Sequence, residues 1–136
     1  MKRLLPIMPL LGMMGLIFFL SHQPGDRLDL PAFFMADKAA HAFAYFLLGG
    51  TVILALGGRR RGLPSPLATA LVTVLFCLLF GILDEFHQSF IPRRSADGAD
   101  VLADICGGAL AAAVWTLYLR RRGAPRRRET LDLPPA

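Results

Sequence analysis

The sequence predicts an all-α, polytopic membrane protein: a bundle of four transmembrane helices with both termini on the cytoplasmic side. Three observations carry this. Residues 4–21, 39–58, 67–83 and 101–119 form four almost uncharged runs, broken only by His41 and Asp104, and each approaches the roughly 20 apolar residues that a span needs. These runs are apolar all round, whereas the helices of a soluble four-helix bundle, the rival fold, would be polar down one side. The basic residues flank the runs rather than lining one face. Over half of the 136 residues are apolar (54%) and the mean hydropathy is +0.50. The net charge of +5 and a pI near 10.0 therefore do not point to nucleic acid, which calls for a basic face or stripe.

The first run follows Lys2 and Arg3 as a signal peptide would. No small-x-small cleavage site follows it; the chain reads Ser21-His22-Gln23-Pro24, so an uncleaved helix is expected. A tight basic connector after the second run ends in Ser65-Pro66, a cap and a first-turn proline that should open the third helix. Pro92 cannot continue that helix, which should end near Ile91. Residues 1–123 make the membrane domain. Residues 124–136, rich in Pro and Arg, are expected to be a disordered basic tail on the cytoplasmic side. Cys77 and Cys106 both lie in apolar runs, and their unequal depths predict free thiols.

Orientation follows from Lys and Arg, because positive segments resist translocation. One side holds Lys2, Arg3, Arg59 to Arg61, Arg120 to Arg122 and Arg126 to Arg128; the other holds only Arg27, Lys38, Arg93 and Arg94. The first side is therefore cytoplasmic. Most acids and histidines gather at the opposite, outer side.

Three segments there carry the candidate chemistry. At 100° per residue, Asp37, His41, Tyr45 and Leu48 fall on one stripe of the second helix, with Lys38 beside it. His41 lies about 6 Å deeper than Asp37, and Tyr45 about 12 Å deeper. Asp37 could simply cap the helix, and Tyr45 could be an interfacial aromatic. His41 is harder to dismiss, because an intramembrane ionisable group usually faces a partner or a cavity. At the end of the third helix, Asp84, His87 and Gln88 share a face with Glu85 at its margin, while Phe86 and Phe90 point the other way. Two acids at a helix C-terminus oppose the macrodipole, so something must compensate them: Arg93, Arg94, Lys38, a histidine or a bound cation. In the fourth helix Asp97, Asp100 and Asp104 share a stripe that continues through Gly107, Gly108 and Ala111. Asp97 or Asp100 could be only a cap; Asp104 is a full turn inside. The small residues below it have the spacing of a close helix contact.

Together these pieces resemble the VanZ-like family of small bacterial membrane proteins. The resemblance rests on Ser21-His22-Gln23-Pro24, Asp37-Lys38-x-x-His41-x-x-x-Tyr45, Asp84-Glu85-x-x-Gln88-x-Phe90-x-Pro92-x-Arg94, and Asp97-x-x-Asp100-x-x-x-Asp104-x-x-Gly107. Many relatives carry an asparagine at or beside Asp104 and another small polar residue in place of His22. The resemblance implies a bacterial cell-membrane location, a shared outer polar site, and a family linked to resistance to the glycopeptide teicoplanin.

Two functions from different classes fit these residues. In an enzyme acting on an envelope lipid or lipid-linked precursor at the outer leaflet, His41, Asp84 and Glu85 are the candidate acid/base groups. Lys38, Arg93 and Arg94 would hold a phosphate, with Asp37, Tyr45, Gln88, Asp97, Asp100 and Asp104 lining the pocket. A non-catalytic binding or scaffold protein would use the same pocket for a lipid headgroup or lipoglycopeptide. A transporter ranks below both, since the inner halves of the spans hold almost no polar residues. Membrane lipids are the expected partners. No cofactor is indicated, and no paired-ligand spacing such as HExxH supports a metal, although His41, His87, Asp84 and Glu85 are suitable ligand types.

Overall fold

A computed structural model describes residues 5–24, 36–57 and 65–123. The tail 124–136 and the basic connector residues 58–64 lie outside the described residues. The chain is all-α, with helices α1 (Met8–Ser21), α2 (Ala36–Gly57), α3 (Pro66–Gln88) and α4 (Gly98–Gly123). The last three are each long and apolar enough to cross a membrane. At 1.5 Å per residue, α2 alone spans about 33 Å, roughly the hydrocarbon thickness. The first run forms a shorter helix than its length suggests. Pro9 occupies the first turn and the helix opens only at Met8, leaving α1 with 14 residues.

The other ends follow local chemistry. The Ser65 hydroxyl accepts from the Ala68 N–H (3.2 Å) with Pro66 in the first turn. Asp97 caps α4 by accepting from the Ala99 N–H (2.9 Å), which leaves Asp100 inside the first turn. The α3 helix stops at Gln88, a turn before Pro92, and the connection to α4 passes through Arg93 in the left-handed region (φ 62°).

Packing is tightest where side chains are smallest. The α2–α4 pair makes the most extensive contact in the bundle, followed by α3–α4. A methyl at Gly107 would run into the Ala42 carbonyl oxygen, and one at Gly108 would meet Cys77. Large apolar side chains instead face outward on every helix: Phe18 and Phe19, Phe43 and Leu54, Leu71 and Leu83, Leu102 and Leu117 are all exposed. Such a continuous apolar exterior is unsustainable in water and ordinary in lipid. Thr69, Thr73, Cys77 and Leu48 fill the interior, and Thr73 returns its hydroxyl to the Thr69 carbonyl (2.8 Å). Both thiols are free, Cys77 buried and Cys106 exposed.

Candidate functional site

The polar residues of α2, α3 and α4 meet at one end of the bundle, opposite Arg120, Arg121 and Arg122 in the last turn of α4. The α2 stripe enters the protein as its period predicts: the Asp37 side chain is half-exposed, His41 is largely covered, and Tyr45 and Leu48 are buried. From α4, Asp104 reaches the same depth as His41 and is fully buried. His41 Nδ1 donates to Asp104 Oδ1 (3.0 Å), which fixes the ring and leaves Nε2 for another partner. Gly81 of α3 makes room for that carboxylate, since a methyl there would overlap Asp104 Oδ2.

Asp84 and Glu85 are both buried at the C-terminal end of α3. Asp84 Oδ2 accepts from the Ser21 hydroxyl (2.9 Å) and the Gln88 amide (3.1 Å). Glu85 Oε2 accepts from the Asp97 backbone N–H (2.7 Å). These donors are neutral, and Lys38 is engaged elsewhere. That lysine pairs with Asp37 (3.1 Å), Asp100 (2.8 Å) and Asp97, pinning the start of α2 to the start of α4. Lys38 holds the Asp97 carboxyl below the ordinary carboxylate range. Arg94 donates to Gln88 Oε1 (3.3 Å) and the Gln23 carbonyl (3.4 Å), both neutral acceptors.

A cavity of about 280 Å³ opens between α1, α2 and α3. Ser21, Asp37, His41, Tyr45, Asp84, Gln88 and Arg94 give it polar groups, and Ile17, Leu20, Ala40 and Ala44 give it an apolar wall. Lys38, Glu85, Arg93, Asp97, Asp100 and Asp104 are not part of this lining. The Tyr45 hydroxyl is buried without a hydrogen-bond partner among the described residues.

Sequence reasoning assigned no role to Ser21 or His22. Ser21 closes an otherwise apolar helix and contacts a carboxylate 63 positions away. His22 Nδ1 and His87 Nε2 share a hydrogen bond of 3.2 Å, and Phe18 stacks on His87 at 4.4 Å. These contacts hold His87 against α1. A polar pair ending an apolar run was the available signal, but it does not say which helix lies opposite.

The order of these elements, with Ser21 on Asp84 and His41 on Asp104, joins all four motif segments into one site. The sequence profile of the VanZ/LLP1 family matches residues 7–119. The chain belongs to the VanZ/LLP1 family. An uncharacterized protein of Schizosaccharomyces pombe is 39% identical over 87 residues, covering 63% of this chain and 50% of the relative. The chain therefore spans about half the length of that relative, whose yeast origin extends the likeness beyond bacteria. No solved structure matches the chain. Its VanZ/LLP1 membership and its apolar helices make it a multi-pass membrane protein in contact with lipid.

Proposed function

We propose that this VanZ/LLP1 protein lies in a bacterial cytoplasmic membrane, termini inside, and captures the headgroup of an envelope amphiphile in its outward-facing cavity. The amphiphile is an envelope lipid, a lipid-linked precursor or a lipoglycopeptide. The observation that carries this reading is the two-sided lining of the cavity: Ile17, Leu20, Ala40 and Ala44 beside His41, Asp84, Gln88 and Arg94. An amphiphile presents that pairing of surfaces. Arg94, held only by neutral acceptors among the described residues, is the cation for a phosphate or carboxylate headgroup. His41 and Asp84 line the same space and can exchange a proton with bound ligand, and that exchange separates an enzyme from a binder. Placement of Arg120 to Arg122 at the far end of α4 from Asp100 supports an outward site by the positive-inside rule.

The test is native mass spectrometry of the chain purified from its membrane, paired with the phenotype of a deletion strain under envelope stress and teicoplanin. Asp84→Asn and His41→Ala should lose retained amphiphile and complementation at least about 10-fold while reaching the membrane at near-normal level, because the apolar runs govern insertion. Phe86→Leu, on the lipid side of α3, should behave as wild type. Full function in both polar variants with loss in Phe86→Leu would overturn the cavity reading. Cysteines at 65 and 95 should label from the cytoplasmic and outer sides respectively; the reverse would overturn the orientation.

A further inference from the structure

We propose that His41, Asp84 and Glu85 form a binding site for one divalent transition-metal ion of the zinc–manganese class, with Asp104 as the positioning residue for the imidazole.

The geometry comes first. One ring nitrogen of His41 and one carboxylate oxygen from each of Asp84 and Glu85 lie within 4.8 Å of one another. They come from two helices, α2 and α3, which is why no ligand spacing within a single helix announces them. Each has an electron pair to offer. His41 Nδ1 is engaged by Asp104, leaving Nε2. Ser21 and Gln88 both donate to Asp84 Oδ2, leaving Oδ1. Glu85 Oε2 takes the Asp97 N–H, while Oε1 is buried without a partner among the described residues, in a residue only 4% exposed.

Charge points the same way. Asp84, Glu85 and Asp104 are three buried carboxylates around one imidazole. Lys38 is held by Asp37, Asp97 and Asp100, and Arg94, on neutral acceptors, is linked to Asp84 through the Gln88 amide that both share. Buried anions in excess of nearby cations are unfavourable unless protonated or bound to a metal. The Asp104–His41 contact is the carboxylate–histidine arrangement that orients metal-bound imidazoles.

The donor set selects the ion. Imidazole with carboxylates suits zinc and manganese; calcium and magnesium favour oxygen alone, and copper(I) favours sulfur. Three protein ligands leave a coordination position open, and two of the three, His41 and Asp84, line the cavity. A ligand oxygen from an amphiphile could complete the shell; that last step rests on the proposed function, whereas the ion does not.

The test uses the full chain in detergent, stripped with chelator and offered Zn²⁺ or Mn²⁺ alone, with no lipid added. Metal content is then read after gel filtration. One equivalent of either ion is expected in the wild-type chain. Affinity should fall at least about 10-fold in Glu85→Gln and Asp84→Asn, and about 10–100-fold in Asp104→Asn, the usual effect of losing an outer partner. Phe86→Leu should match wild type, and circular dichroism checks that each variant is helical. A measurement without variants guards against misfolding: the free Mn²⁺ electron paramagnetic resonance signal should disappear on adding wild-type chain and return on adding Zn²⁺. No uptake of either ion would overturn the proposal. Equal uptake in a helical Asp84→Asn/Glu85→Gln double variant would also overturn it, placing the ion at His22–His87 or Cys106. Metal uptake without retained amphiphile would count against the proposed function alone.

Discussion

At the Arg120 end of α4 the bundle is held together by what its side chains lack; at the Asp100 end it is held by what they carry. Toward the arginines, Gly49, Gly108 and Ala111 let α2 and α4 approach until a methyl added at Gly49 would touch Ala111 and the Gly108 backbone. Lipid tails are as apolar as the interior, so such contacts gain their energy from dispersion at short range. Toward the acids, Asp84, Glu85, Asp100 and Asp104 are buried, each in a setting where an apolar residue would pack without desolvation. The first region explains why the helices associate. The second ties the helices through buried polar groups that apolar packing could replace, and that is the argument for assigning it a function.

The sharpest way to break this comparison is Gly107→Val. Its branched side chain would meet the Ala42 carbonyl and the Phe46 amide on α2. Overpacking of this kind typically costs about 1–3 kcal/mol and sometimes more; here the obstacle is backbone, so folded protein in the membrane fraction should largely disappear. Wild-type accumulation would mean that α2 and α4 do not depend on close approach. Ser21→Ala sharpens the other half. Loss of the hydroxyl leaves Asp84 with the Gln88 amide, and an undersatisfied buried acceptor costs about 1–3 kcal/mol. Denaturant unfolding in detergent should show a loss toward the lower end of that range. An unchanged midpoint would indicate that α1 does not dock on α3 through this contact.

The smallest effect concerns the Lys38–Asp97 link. Lys38 depresses the Asp97 carboxyl, so the stabilisation is present above the ordinary value of 3.8 and is lost as pH falls through the lower folded value. The pH dependence of unfolding below about 4 should therefore be shallower in Asp97→Asn than in wild type. Identical profiles would show that the contact contributes nothing at this exposed position.

Much of this arrangement was legible in the sequence, and the residues show where legibility stopped. The run lengths foretold the helices, Ser65-Pro66 marked the start of α3, and the 100° stripe placed Asp37, His41, Tyr45 and Leu48 in order of burial. Helical periodicity gives a face but not the neighbour opposite it, because that depends on how each helix is rotated in the bundle. Hence Ser21 as the partner of Asp84, His22 as the partner of His87, and the three aspartates on Lys38 could not be read off the chain. Residue type and membrane side grouped His41 with Asp84 and Glu85, but the same limit left their approach to within 4.8 Å unread. The end of α1 nearest Met8 was missed for a local reason: the apolar count includes residues 4–7, but Pro9 admits a helix only from its own first turn onward.

The fit of Asp104 against Gly81 ties two distant positions into a single unit of variation. A methyl at 81 would overlap the Asp104 carboxylate, so a larger residue there has to push the acid off its contact with His41. Once the acid is replaced by alanine, position 81 is released to drift. Comparing these two columns across relatives would therefore separate chains that retain the anchored histidine from chains that keep only the membrane scaffold.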